Sequence, residues 1–280
     1  MIAGWLAIAV GRLVRNQSAW PSLVLCLALV LIKRVDGSPG LILLMVNLLA
    51  AAALDGRSRR RPSWTPAARV AMGVLVAGWM FLAWEWPHAE HTSRRPALIP
   101  DRPIVCMGDS LSAGGYPRVL EKRLKVPVLD LAQGGITTAD GVKQLPELIR
   151  LRPQAVVLEL GGHDSLRGRS RAEARKNLEE IIHTARSLGA EVVLFEIPLG
   201  FVSDPYSGLD RELARREDLE LLSDGAIRQL VYFSPFTPLG RWTGRILSYD
   251  GLHPNEAGNA FLADRVEASL VRVYGPGIQR

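Results

Sequence analysis

From residue 101 to the C-terminus, short runs of Val, Ile and Leu alternate with segments of helical periodicity, and that alternation leaves few ways to fold. The runs 103–107, 126–131, 155–160 and 191–197 are apolar at successive positions, as strands buried on both faces are. The clearest helix between them spans 171–188. It opens with Ser170-Arg171-Ala172-Glu173, a capping box in which the Ser and Glu side chains satisfy each other's backbone donors, and closes at Gly189. A last helix fits 255–273. Strands separated by helices pair in parallel through crossover connections, so the pattern predicts an α/β domain, a doubly wound parallel sheet in three layers.

The N-terminal third has a different pattern. Residues 18–32, 41–54 and 70–84 are apolar and free of charge, each bounded by basic or polar segments. Each falls short of the roughly 20 residues of a spanning helix, although neighbours such as Gly37 to Gly40 can extend the second. We expect three transmembrane helices within a membrane-spanning region 1–87, a linker 88–100 and a catalytic domain 101–280. A cleaved signal peptide would show one apolar core and then a small-residue cleavage site, whereas two further apolar segments follow here. A buried helical domain and a re-entrant second segment are the alternatives.

Arg57, Arg59, Arg60 and Arg61 form the densest basic cluster, and the positive-inside rule puts that loop in the cytoplasm. The third segment then runs outward, with Trp79, Trp84 and Trp86 at its outer end, where amphipathic rings favour the headgroup level. By alternation Arg12 and Arg15 are cytoplasmic and the weaker Lys33-Arg34 pair faces out. The stretch 1–10 is apolar too and would reverse the parity of the early segments if it spanned. The expected location is therefore a multi-pass protein of the cell inner membrane with an extracytoplasmic catalytic domain.

Charge sorts the possible partners. Residues 1–100 hold 11 Lys and Arg against 4 Asp and Glu, whereas residues 101–280 hold 23 against 24. The basic excess belongs to the N-terminal part, so the C-terminal domain lacks the electrostatic footprint of nucleic-acid binding. Cys26 and Cys106 provide neither a disulfide framework nor metal-ligand spacing. His88-Ala89-Glu90-His91 has two ring donors but no third ligand nearby and suits a solvated linker. No metal or cofactor is expected, and the sequence carries no signal of oligomeric state.

Four blocks in the C-terminal domain carry chemistry: Gly108-Asp109-Ser110-Leu111-Ser112, Gln133-Gly134-Gly135-Ile136-Thr137-Thr138, Glu159-Leu160-Gly161-Gly162-His163-Asp164 and Asp250-Gly251-Leu252-His253-Pro254-Asn255. In that order they supply a nucleophile, oxyanion donors and an acid/base pair, a kit for acyl transfer through a serine. The first three follow the carboxyl ends of successive strands, where open parallel sheets place their ligands, and the fourth precedes the last helix. Asp250, three residues before His253, is near enough to accept from one ring nitrogen and fix the tautomer. Taken alone, Asp250 and His253 suit a polar loop with a helix N-cap equally well.

With all four blocks present, residues 101–280 resemble the SGNH hydrolases, also called GDSL esterases and lipases. Residues 158–194 are similar to the bacterial thioesterase/lysophospholipase branch. The resemblance implies a flavodoxin-like three-layer fold and a serine esterase in which Ser110 attacks the ester and His253 takes its proton, with Asp250 as partner. It also implies an oxyanion hole built from the backbone N–H of Ser110, the backbone N–H of Gly135 and a side chain at position 163. Gly134 competes for the second role. Asp109 and Asp164 tie loops together.

The chain departs from the family at one point: His163 stands where an Asn is usual. A neutral imidazole still offers one N–H donor, in one of its two tautomers. An extracytoplasmic domain cannot reach coenzyme A thioesters, which favours carboxylic esters of lipids, glycans or envelope polymers. An acyltransferase passing the acyl group to a sugar hydroxyl, and an inactive membrane-anchored binding module, are the alternatives. Phe201, Tyr206, Tyr232, Phe233, Phe236 and Trp242 can line an acyl pocket, but core packing is expected for most of them.

Overall fold

The apolar runs close into one parallel sheet in the computed structural model, which describes residues 96–199 and 204–280. The three N-terminal apolar stretches, the arginine cluster, the His88/His91 pair and Phe201 lie outside the described residues. Among the described residues no helix is long and apolar enough to cross a membrane. The strands are β1 (Ile104–Gly108), β2 (Val128–Asp130), β3 (Ala155–Glu159), β4 (Glu191–Phe195) and β5 (Glu220–Leu222). They lie in the order β2-β1-β3-β4-β5, every pair parallel. The chain goes to one side of β1 for β2 and to the other for β3, so the loops leaving β1 and β3 diverge and open a crevice between them.

Side chains sort by the two-residue period of a strand. Ile104, Cys106, Ala155, Val157, Val193 and Phe195 face helices α1 (Tyr116–Arg123), α7 (Gly225–Tyr232) and α9 (Glu256–Tyr274). Val105, Met107, Val156, Leu158, Val192 and Leu194 face α3 (Leu145–Leu151), α5 (Arg171–Ser187) and α6 (Leu209–Glu217). Both faces of β1 and β3 are therefore buried, which is why their sequences run apolar without alternation. The expected capping box is present: Ser170 Oγ accepts from Glu173 N at 3.2 Å, and Glu173 Oε2 accepts from Ser170 N at 2.9 Å. A cap of this kind is worth about 1 kcal/mol. Ala174, Leu178, Ile181, Ile182 and Ala185 give α5 its buried stripe.

Short helices fill the loops at the carboxyl end: α2 (Thr138–Lys143), α4 (Gly162–Leu166) and α8 (Pro238–Thr243). Two features depart from the sequence expectation. The edge strand β5 was not foreseen, because it is three residues long and includes Glu220, whose carboxylate meets Arg272 Nε at 2.7 Å. The aromatic segment is the second, and departs only in part. Tyr206 is buried, with its hydroxyl donating to Arg169 O at 2.7 Å, and Phe233 packs on the core, but Phe236 and Trp242 are exposed. The reason lies in α8, which touches the domain through Gly240: a Cβ there would sit 2.1 Å from Ser234 O.

Candidate active site

Ser110 occupies the turn leaving β1, and that turn is built around glycine and a buried acid. A Cβ on Gly108 would lie 2.5 Å from Ser112 Oγ and 2.7 Å from Glu159 Oε2, so the strand can end here only in glycine. Glu159, the last residue of β3, is fully buried; its Oε2 accepts from Asp109 N at 3.1 Å and from Ser112 Oγ at 3.0 Å. Asp109 Oδ1 accepts from Leu111 N at 3.1 Å, and Asp109 O from Ala113 N at 3.0 Å. These bonds clasp the turn on both sides of Ser110. Burial pushes the Glu159 carboxyl well above the ordinary range, and the adjacent Asp109 charge adds to the shift, which favours the neutral acid. Burial raises Asp109 as well.

The second block sits against the first. Gln133 N donates to Gly108 O at 3.0 Å, and a Cβ on Gly134 would come within 3.9 Å of Ser110 Cβ. Gly135 has φ +81°, a conformation open to glycine, and its carbonyl accepts from Arg167 Nη2 at 2.7 Å. Thr137 caps α2 through a reciprocal bond with Asp140. Asp164 joins the second and third blocks: its carboxylate accepts from Thr138 N at 2.7 Å and Thr138 Oγ1 at 2.6 Å, and Asn177 Nδ2 donates to the same hydroxyl at 3.0 Å. Asp164 thus ties two loops together, whereas the Asp109 carboxylate bonds within its own turn, to Leu111 N. His163, in the first turn of α4, has its Nε2 3.9 Å from Asp109 Oδ2. Among the described residues, the backbone N–H groups of Ser110, Gly134 and Gly135 donate to no protein acceptor.

Asp250 and His253 arrive from the other side, on the loop before α9. Gly251, at φ +92°, turns the chain so that Asp250 Oδ1 accepts from Leu252 N at 2.9 Å and His253 N at 2.8 Å. Asp250 Oδ2 lies 2.6 Å from His253 Nδ1, and His253 Nε2 lies 3.1 Å from Ser110 Oγ. A carboxylate facing Nδ1 places the proton there and leaves Nε2 bare toward the serine. The His253 bond, then the two backbone bonds, hold Asp250 below the usual carboxylate range, so it stays ionised near neutrality.

The structure brings Ser110, His253 and Asp250 together, with Gly134 beside Ser110, while His163 approaches Asp109 and Gly135 meets Arg167. Sequence reasoning assigned no role to Glu159 or Arg167. For Glu159 a signal existed: an acid ending an apolar run whose positions are buried on both faces. Arg167 had none, since a surface arginine in a turn is ordinary. Among the described residues no group of three or more His, Cys, Asp or Glu is arranged to hold a metal ion.

Comparisons with known proteins point the same way. The model of the GDSL-like lipase/acylhydrolase family matches residues 106–261, a span that contains all four blocks. Thioesterase 1/protease 1/lysophospholipase L1 of Escherichia coli (strain K12) is 30% identical over 182 residues, which cover 60% of this chain and 82% of that protein. An arylesterase of Vibrio mimicus is 28% identical over 187 residues, 60% of this chain and 88% of the relative. The crystal structure of TesA aligns with a TM-score of 0.51 at 27% identity, over 60% of this chain and 97% of that one. The psychrotrophic esterase EstA from Pseudoalteromonas sp. shares the fold, with a TM-score of 0.50 at 21% identity over 61% of this chain and 97% of that one.

Proposed function

The chain belongs to the GDSL-like lipase/acylhydrolase family and is a serine hydrolase acting on esters, and from that premise we propose that Ser110 is its nucleophile, His253 its acid/base and Asp250 the partner of the imidazole. Ser110 Oγ attacks the ester carbonyl as its proton passes to His253 Nε2. The carbonyl oxygen becomes an oxyanion, held by the N–H groups of Ser110 and Gly135 and the ring N–H of His163, with Gly134 the competing amide. Collapse expels the alkoxide, which takes the proton from Nε2 and leaves an acyl-Ser110. Water then repeats the sequence with the same proton path, releasing the acid.

A single observation carries this assignment: His253 Nε2 stands 3.1 Å from Ser110 Oγ while Nδ1 stands 2.6 Å from Asp250. A fluorophosphonate probe tests it. Wild-type protein is expected to be labelled at Ser110, and a Ser110→Ala protein that still labels would remove the assignment.

The substrates are carboxylic esters with an apolar acyl group, lipid esters before those of glycans or envelope polymers. Two features support this: Leu252, next to His253, is an exposed apolar side chain on the catalytic loop, and one relative carries lysophospholipase in its name. Residues 1–87 anchor the chain in the membrane with the domain 101–280 outside the cytoplasm, a reading that rests on the three apolar stretches and the Arg57 to Arg61 cluster. A reporter fused after residue 95 should behave as extracytoplasmic, and recovery of the intact chain as a soluble cytoplasmic protein would overturn the topology.

A further inference from the structure

Helix α8 exposes apolar surface and is capped at both ends. Thr237 Oγ1 caps it by accepting from Gly240 N at 3.1 Å, Arg241 Nε donates to Pro235 O at 2.9 Å, and Gly244 closes it at φ +67°. Contact through Gly240 leaves its large side chains outward: Trp242 is 89% exposed and Leu239 40%, and Phe236 just before the helix is 65% exposed. Scattered exposed apolar residues are ordinary, but a capped helix that turns its only tryptophan to water is a candidate contact surface.

This surface adjoins the catalytic loop. Ser234, whose carbonyl packs on Gly240, also has its Oγ 3.8 Å from where a Cβ on Gly251 would lie. Tyr249 and Leu252, on either side of Asp250, are exposed as well. The charge is mostly basic: residues 225–249 contain no Asp or Glu, Arg241 and Arg245 are exposed, and the one acid of 236–252 is Asp250, whose carboxylate is engaged by His253 Nδ1 at 2.6 Å. The Arg245 guanidinium lies over the Phe233 ring at 4.6 Å, which holds a cation against the same surface.

We propose that α8 and the turn 249–252 dock the domain on a bilayer surface bearing anionic headgroups, with Phe236 and Trp242 at the headgroup level and Arg241 and Arg245 against the lipid charges. Tryptophan and tyrosine favour that level, and arginines near it gain from the negative surface potential. At six residues α8 is too short to span and suits only an interfacial position. Docking would turn the site, which sits beside this helix through Ser234, toward esters held in the bilayer. That last consequence rests on the proposed lipid-esterase function; the docking itself does not.

Hydrogen exchange on the full chain tests docking at the segment itself, so attachment of the chain to lipid through other residues does not imitate it. The amides of 236–252 are expected to exchange more slowly with phosphatidylcholine/phosphatidylglycerol vesicles than with phosphatidylcholine vesicles or lipid-free detergent, and a Phe236→Ala/Trp242→Ala protein should lose the difference. Equal exchange with both lipids would overturn the proposal. So would full protection in lipid-free detergent, which would mean that the chain's own residues or a second copy cover the surface. Turnover supplies a second arm: Arg241→Gln should lower hydrolysis of an ester presented in anionic vesicles about fivefold, the scale of one arginine near such a surface, and leave a water-soluble short-chain ester unaffected. Equal loss on both substrates would overturn it. A wild-type chain inactive on the soluble ester would sink the esterase reading while the exchange experiment still decides docking.

Discussion

The two halves of the site are held in opposite ways. Ser110 sits on a turn clasped by Glu159, Asp109 and Ser112, whose side chains are all buried, and a sheet strand runs directly into it. Asp250 and His253 sit on a loop that organises itself by bonds three residues apart, with side chains 53% and 45% exposed. The nucleophile is thus placed by the fold, and its base by local chain geometry. Changes on the loop should therefore alter chemistry without touching stability, whereas changes beneath Ser110 should alter both.

The largest effect expected is on turnover alone. Ser110→Ala and His253→Ala should each reduce kcat by roughly 10⁴–10⁶, and the double variant should lose little more, because members of one catalytic unit are strongly non-additive. Both variants should keep the wild-type melting temperature within a few degrees, since neither removes a buried apolar group. A His253→Ala protein that melts well below wild type would break the contrast by showing that the loop braces the fold.

His163 tests whether the exposed side of the nucleophile pocket also contributes electrostatics. If its ring N–H stands in for the family's usual amide, His163→Ala should lower kcat by about 10²–10³ with little change in KM, and His163→Asn should recover most of the loss. Near-wild-type turnover in the Ala variant would assign the ring to packing or to the Asp109 contact.

Gly108→Ala probes the clasp itself. Its methyl group would meet Ser112 and Glu159, so both side chains must shift, a strain of about 1–3 kcal/mol that also moves the turn carrying Ser110. Melting temperature and kcat should fall together. A fall in kcat at unchanged stability would show that the turn yields independently of the core.

The same contrast governs what could be read from the sequence. The strand positions and the four blocks were legible because burial on both faces writes continuous apolar runs, and because a nucleophilic turn, glycine amides and a paired Asp and His are residue types with few substitutes. β5 was not legible: an edge strand with one charged residue has no periodicity to detect. The clasp was only half visible, since Glu159 stands in the third block but its partners Asp109 and Ser112 lie about 50 residues away, and only the parallel pairing of β1 with β3 brings Gly108 opposite Glu159. Which aromatics of the segment pack inward was not legible, because aromatic content alone does not reveal that a glycine makes the contact of α8.

The smallest effect concerns the protonation of Glu159. Its carboxyl is pushed well above 4.5 by burial, so between that value and its folded-state pKa the native protein keeps a proton that the unfolded chain has released. Stability contributed by this group must then fall as pH rises through that window. Glu159→Gln removes the titration while retaining a carbonyl oxygen to accept from Asp109 N and Ser112 Oγ, and its amide takes the place of the acid O–H. The variant should therefore gain in melting temperature relative to wild type from about pH 5 to about pH 8, with kcat kept within a few-fold. If Glu159 were instead ionised and its charge held the turn, the variant would lose stability, and most at high pH where the charge is complete. Melting curves of the two proteins across that range separate the cases by sign, and a loss growing with pH would replace the neutral clasp with a charged one.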